Sequence, residues 1–195
     1  MALTKDQFDK LWDTLSESAD PTIKNPRYRE GRYIQQDYTE VWELVQRLSV
    51  LNPQRCLEIG NACGGTTLVW KAVCPEVVSI DLYPVGSGDG VITLDMFEDV
   101  HFILKDSHSS EALEGAKKFA PYDFLFIDGD HEPAGVLSDY QMYAPLVRSG
   151  GIVVFHDWGY QHGSGLWPIQ ECIKTTGITP EIIQHSHFGI AVLRV

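Results

Sequence analysis

Basic residues are scarce in this 195-residue chain: 15 Lys and Arg stand against 27 Asp and Glu, a formal net charge of −12. Affinity for a phosphate backbone comes chiefly from cations that displace counterions, so this balance argues against nucleic acid as substrate or partner. Long apolar runs are missing too. None approaches the roughly 18 residues a membrane span requires, and the opening stretch MALTKDQFDKLW is charged from its fifth residue. A soluble, unprocessed, cytoplasmic protein without a membrane partner is expected. Cysteine is sparse: the four, at 56, 63, 74 and 172, form no C-x-x-C pair and sit beside apparent strands and helices, which argues for reduced thiols and against a disulfide framework. Internal repeats and low-complexity tracts are also absent. The 44% hydrophobic content allows one good core, and the length demands no second domain.

What the chain does have is order along its length. A capping box, TKDQ at Thr4–Gln7, opens a helix with Phe8, Leu11, Trp12 and Leu15 on one face. The polar segment ESADPTIKNPRYREGRY reads as an ordered or semi-ordered loop, and a second capping box, DYTE at Asp37–Glu40, opens a helix with Val41, Trp42, Val45 and Leu48 inward. From Arg55 onward, apolar runs (RCLEIG, EVVSIDLY, VHFILKDS, YDFLFIDGD, GGIVVFHDW) alternate with helix-length segments. Such alternation predicts parallel pairing through right-handed crossovers. The last two runs, TPEIIQHS and FGIAVLRV, are too close in sequence for a crossover and predict a hairpin. The expected fold is α/β: a doubly wound, mostly parallel seven-stranded, Rossmann-like sheet with a C-terminal antiparallel edge hairpin and N-terminal helices. Residues 1–36 form a helix-and-loop extension to a ligand-binding unit at 37–195.

In such sheets ligands bind beyond the carboxyl ends of the strands, and the polar residues collect there: Glu58 and Gly60, Asp81, Asp106 and Ser107, Asp128 and Asp130, His156 and Asp157 end successive runs. The turn CLEIGNACGGTT lets backbone N–H groups approach a ligand while the following helix directs its positive end at it. It is not the dinucleotide fingerprint, because Ala62 takes the second glycine position. Asp81, about 20 residues on, has the spacing at which a carboxylate accepts both hydroxyls of a ribose. Asp106 or Ser107 then stands where a base edge would lie, although a plain helix cap explains Ser107 equally well.

The turn resembles the first motif of the class I S-adenosylmethionine-dependent methyltransferases, acid-x-Gly-x-x-x-Gly, in the form found in catechol O-methyltransferase-like enzymes, where a Cys precedes the second marked glycine. The likeness runs from about residue 38 to 195. It implies that Glu58 helps hold the amino acid part of the cofactor, that Gly60 and Gly64 form the turn, that Asp81 holds the ribose, and that Asp106, Ser107 and Asp128 complete the cofactor site.

The richest stretch is FLFIDGDH, which ends a buried run with Asp128, turns at Gly129 and presents Asp130 and His131; the next run ends in His156 and Asp157. If the two runs are neighbouring strands, their ends lie about 4.8 Å apart and Asp128, His156 and Asp157 converge. Carboxylates brought together raise one another's pKa, so such a cluster usually hosts a metal or a proton; oxygen-rich donors favour Mg²⁺, and a His admits other divalent cations. This pairing is similar to that of metal-dependent small-molecule O-methyltransferases, including the macrolide sugar O-methyltransferase and cephalosporin-hydroxylase-like group. The resemblance implies Asp128, His156 and Asp157 as metal ligands and His131 as general base, with His156–Asp157 departing from the Asp-Asn or Glu-Asp of relatives. The implied chemistry is methylation of a small-molecule hydroxyl, favouring a vicinal diol or catechol. The loop at 159–166 offers a movable wall with Trp158 and Tyr160 beside the acceptor, or simply an inert connection, and His162 is a weaker candidate base. The N-terminal helices offer a surface for a homodimer.

Other classes fit less of the sequence. A nicotinamide-dependent dehydrogenase shares the sheet and Asp81 but lacks the fingerprint and any Tyr-x-x-x-Lys pair. A metal-dependent hydrolase leaves the glycine turn and Asp81 without a role. A non-catalytic cofactor-binding protein has no need of His131 or Asp157.

Overall fold

A computed structural model describes residues 3–16, 34–85, 93–161, 163 and 165–195. The polar segment 17–33, expected to be a loop, and His162 lie outside the described residues. Seven strands, β1 (Arg55–Ile59), β2 (Glu76–Asp81), β3 (Val100–Leu104), β4 (Tyr122–Ile127), β5 (Val147–His156), β6 (Glu181–Ile183) and β7 (Ile190–Arg194), make one sheet in the order β3-β2-β1-β4-β5-β7-β6. The first five pair in parallel, and β7 inserts antiparallel between β5 and β6, as the short link between the last two runs requires.

Period-two alternation sorts the strand side chains into two apolar layers. Cys56, Phe124, Phe126, Ile152 and Val154 face α1 (Lys5–Ser16), α2 (Tyr38–Leu51) and α3 (Gly65–Val73). Leu57, Leu125, Ile127, Val153 and Phe155 face α4 (Ser110–Lys117), α5 (Pro133–Tyr143) and α6 (Pro168–Thr176). Strand β4 is buried on both sides throughout, which is why its sequence is a nearly unbroken apolar run. Phe8, Trp12 and Leu15 of α1 belong to the same cluster as Val41, Leu44 and Val45 of α2, so the amino-terminal helix shares the core of the sheet.

Both capping signals act at helix starts, in different ways. At α1 the box is reciprocal: Thr4 Oγ1 accepts from the Gln7 N–H, and Gln7 Oε1 from the Thr4 N–H. At α2, Asp37 accepts from the N–H groups of Thr39 and Glu40, but Glu40 does not reach back. Its fully buried carboxylate instead accepts from the backbone N–H groups of His185 and Ser186, both at 2.7 Å, and of Gly189 at 3.1 Å. It thereby anchors the β6–β7 connection. Among the described residues, no helix is long and apolar enough to cross a membrane.

Candidate active site

The chain reverses direction across the sheet between β1 and β4, and there the two strand ends nearly touch. Gly60 has φ +84°, and a Cβ on it would lie 2.1 Å from the backbone oxygen of Asp128, so only glycine fits. Ala62, at the missing second glycine, adopts φ +46°: the turn keeps a left-handed step with an alanine, a conformation that costs a non-glycine residue about 1 kcal/mol or more. Asp81 stabilises that step, its Oδ2 accepting from the Asn61 and Ala62 N–H groups at 2.8 and 3.0 Å.

One cavity of about 910 Å³ opens over the strand ends. Its wall includes Gly60, Asp81, Asp106, Ser107, Asp128, His131, His156 and Asp157, as expected from the chain order of strand termini. Two expected residues do not reach it. Gly64 caps α3 at φ +89° and packs against the Phe97 ring, leaving no room for a side chain. Glu58 is fully buried beneath the turn, its Oε2 accepting from the Thr67 and Ser79 hydroxyls while Oε1 has no partner. Burial pushes its carboxyl up, and the Thr67, Thr66 and Ser79 hydroxyls offset this only in part, so that it titrates at about 7.

At the far end of the cavity the β4 and β5 termini converge, because Ile127 and Phe155 are direct partners. Asp128, His131 and Asp157 bring one donor atom each to within 4.8 Å of one another. His131 Nε2 lies 3.5 Å from Asp128 Oδ1 and 3.3 Å from Asp157 Oδ2; expected as a general base, it is geometrically part of the cluster. His156, expected as a ligand, lies beneath the carboxylates at 3% exposure, its Nδ1 3.2 Å from Asp128 Oδ1 and from Asp157 Oδ1. Burial pushes His156 down, but the charge of Asp128 and its contacts with Asp128 and Asp157 outweigh this and take it up to about 10. Burial likewise pushes Asp128 up, and the charge of His156 with the His131 contact overcomes it, holding the carboxyl well below the usual range. Contact with Asp128 is the main cause raising His131. Asp157 sits at φ +61°, and the His156 imidazole is the contact of its buried Oδ1.

Residues that the sequence pattern did not single out complete the wall. Gln36, 3% exposed, donates from Nε2 to Asp128 Oδ2 at 2.7 Å. His187 and Phe188 come from the connection that Glu40 anchors, with the Phe188 ring 5.3 Å from that of His156. Of the expected aromatic wall, Tyr160 lines the cavity 5.6 Å from the His131 ring. Trp158 does not: its N–H donates to the Gly189 oxygen and its side chain packs into the layer that holds Phe155.

A methyltransferase-domain family matches residues 57–158, just over half of the chain and every strand end that lines the cavity except those after β5. The chain belongs to the class I S-adenosylmethionine-dependent methyltransferases. Among curated proteins it is similar to the mycinamicin VI 2''-O-methyltransferase of Micromonospora griseorubida, 29% identical over 119 residues. That match takes in 58% of this chain but only 28% of that protein. Among solved structures it superimposes on a Staphylococcus aureus protein assigned as a caffeoyl-CoA O-methyltransferase, with TM-score 0.63 and 18% identity over 83% of this chain and 85% of that one. It also superimposes on the mycinamycin-pathway methyltransferase MycE in complex with Mg, S-adenosylhomocysteine and mycinamycin VI, with TM-score 0.56 and 21% identity over 76% of this chain and 48% of that one. At such identities the structural likenesses establish the fold, and chemistry must be argued from the residues themselves.

Proposed function

We propose that this methyltransferase moves the methyl group of S-adenosylmethionine to a hydroxyl of a small molecule bearing neighbouring oxygens, such as a sugar, vicinal diol or catechol, with a divalent cation, Mg²⁺ foremost, assisting. One observation carries the reading: a single cavity joins the glycine turn and Asp81 at one end to the Asp128–His131–Asp157 cluster at the other. Its volume is at the upper end of the range for ligand pockets, enough for a cofactor and an acceptor together. A dehydrogenase has no use for the cluster, and a hydrolase has none for the ribose-spaced acid.

In this reading Gly60 and the turn amides face the amino acid part of the cofactor, Asp81 the ribose, and Asp106 and Ser107 the base, while Glu58 contributes from beneath by holding α3 and β2 through Thr67 and Ser79. Asp128 and Asp157 are the residues to hold a cation. Their converging oxygens suit a hard divalent ion. A bound cation lowers the pKa of a hydroxyl brought beside it and fixes its approach. His131 is the group on this wall suited to accept the hydroxyl proton, half exposed and beside Tyr160.

The test is calorimetry with S-adenosylhomocysteine against NAD, followed by methyl transfer from labelled S-adenosylmethionine to catechol and sugar acceptors. Asp81→Ala should weaken S-adenosylhomocysteine about tenfold or more, the worth of a charge-assisted hydrogen bond; NAD binding in its place would overturn the assignment. The position of His156 favours a second reading of the metal's part. An imidazolium 3.2 Å from both carboxylates offsets one of their two charges, and in this second reading methyl transfer needs no cation. Full activity after exhaustive EDTA treatment would select it.

A further inference from the structure

The sheet ends at two edges, and they are built differently. At one, β6 is three residues long and its Glu181 is tied to Arg47 of α2 at 2.6 Å. Short edge strands and charges are how natural sheets avoid pairing with another chain. At the other, β3 is paired, among the described residues, on one side only, with β2. Its sequence, Val-His-Phe-Ile-Leu, holds no proline, lysine or acid. Alternation sends Val100, Phe102 and Leu104 to one face, where Phe102 stands 5.7 Å from the Phe97 ring. There Phe102 and Leu104 join Val85, Leu94 and Phe97 around an apolar groove of about 240 Å³. Leu94 and Leu104 remain 73% and 46% exposed.

Charge stands only at the two ends of this strand. Asp99 precedes it and Lys105 follows it, both exposed. The segment Asp-Val-His-Phe-Ile-Leu-Lys is therefore complementary to itself when reversed. In two copies paired antiparallel about Phe102, Val100 faces Leu104, Phe102 faces Phe102, and each Asp99 faces the Lys105 of the second copy. Opposed residues share a face of the sheet, so the apolar row of one copy runs on into that of the next. A twofold axis makes the same charge pair at both ends. The acids beyond the segment leave the line of the strand: the chain turns at Asp99, where φ is +72°, and Asp106 folds its carboxylate back onto the His108 N–H at 2.9 Å.

We propose that the chain forms a twofold dimer in which β3 pairs antiparallel with β3 of a second copy, joining the two seven-stranded sheets into one. The apolar side chains of the β3 edge form the seam, and the Asp99–Lys105 pairs set its register and direction.

The experiment is analytical ultracentrifugation of the full chain over a concentration series, in which wild type should show a monomer–dimer equilibrium. Asp99→Lys or Lys105→Glu sets like charges opposite each other at both ends and should weaken dimerisation about tenfold or more. The double variant Asp99→Lys/Lys105→Glu restores the complementarity and should recover the wild-type constant. Any strain of lysine at the left-handed position 99 is common to the single and double variants, so recovery separates charge pairing from damage to the fold. Backbone hydrogen exchange at Val100–Leu104 should slow as the dimer forms, because edge N–H groups gain partners. A wild type that stays monomeric throughout the series overturns the proposal. So does a dimer that ignores both single changes, a double variant no stronger than the single ones, or unchanged exchange at β3; association would then run through another face, such as that of the amino-terminal helices.

Discussion

Glu58→Gln isolates the electrostatic cost of a carboxyl placed where neither solvent nor ligand reaches it. Burial lifts Glu58 from 4.5 to about 7. Between these values the folded chain holds a proton that the unfolded chain has released, so stability falls as pH rises. The contribution is fully present below pH 4.5 and gone above pH 7. At 1.36 kcal/mol per unit, the 2.5-unit difference is worth about 3.4 kcal/mol, of which about 2 kcal/mol disappears between pH 5.5 and 8.5. Glutamine keeps the shape and cannot ionise. Its partners remain available, since the Thr67 and Ser79 hydroxyls that donate to Oε2 can donate to an amide oxygen. Urea unfolding of wild type and variant should therefore give a stability difference that moves in favour of the variant by about 2 kcal/mol over that pH range, with other groups cancelling in the comparison. In melting temperature this is roughly 4 to 8 °C for a chain of this length. Parallel stability profiles would show that the hydroxyls compensate burial fully and that Glu58 titrates as an ordinary carboxyl.

Gly60→Ala should cost about 3 kcal/mol or more, or prevent folding, because it combines a positive φ with a contact on the Asp128 carbonyl; urea unfolding reads the loss, and a wild-type midpoint would mean that the two strand ends are looser than described. Millimolar Mg²⁺ should raise the melting temperature of wild type and not of Asp128→Asn or Asp157→Asn, with about 2.7 kcal/mol of stabilisation at a hundred times the dissociation constant; no response in wild type to Mg²⁺, Mn²⁺ or Ca²⁺ would remove the cation from the site. His131→Ala should cut turnover about 10² to 10⁴-fold while S-adenosylhomocysteine binds as before, and full turnover would transfer proton removal to another group, His162 being the next to replace. Glu40→Gln should leave cofactor affinity intact and raise the KM for the acceptor, read by steady-state kinetics, because only the His187–Phe188 part of the wall depends on it.

The strand termini were legible because their signals are local. Each apolar run stops at a polar residue, and parallel pairing through crossovers then brings those residues to one edge of the sheet, which places Asp81, Asp128, His131 and Asp157 around one cavity. The broken fingerprint misled less than it seemed to, since Ala62 takes the left-handed step that a glycine would have taken. Glu58 and Gly64 occupy motif positions yet sit behind the wall: sequence spacing fixes where a residue leaves a strand or starts a helix, not which way its atoms face. Trp158 failed for the same reason. Glu40 and Gln36 carry no readable signal, because their partners lie 145 and 92 residues away and no periodicity links them. As the second half of a capping box Glu40 has a plausible local duty, which its tertiary contacts override.

The Glu40 anchor has a consequence for how such a site changes its preferences. All three of its bonds end on main-chain N–H groups, which every residue type except proline possesses. The identities of residues 187 and 188, which line the cavity, are therefore uncoupled from the force that fixes the path of the loop. The connection behaves as an interchangeable cartridge: new side chains can be loaded at these two positions of the cavity wall, with the glycine turn, Asp81 and the acid–imidazole cluster left untouched.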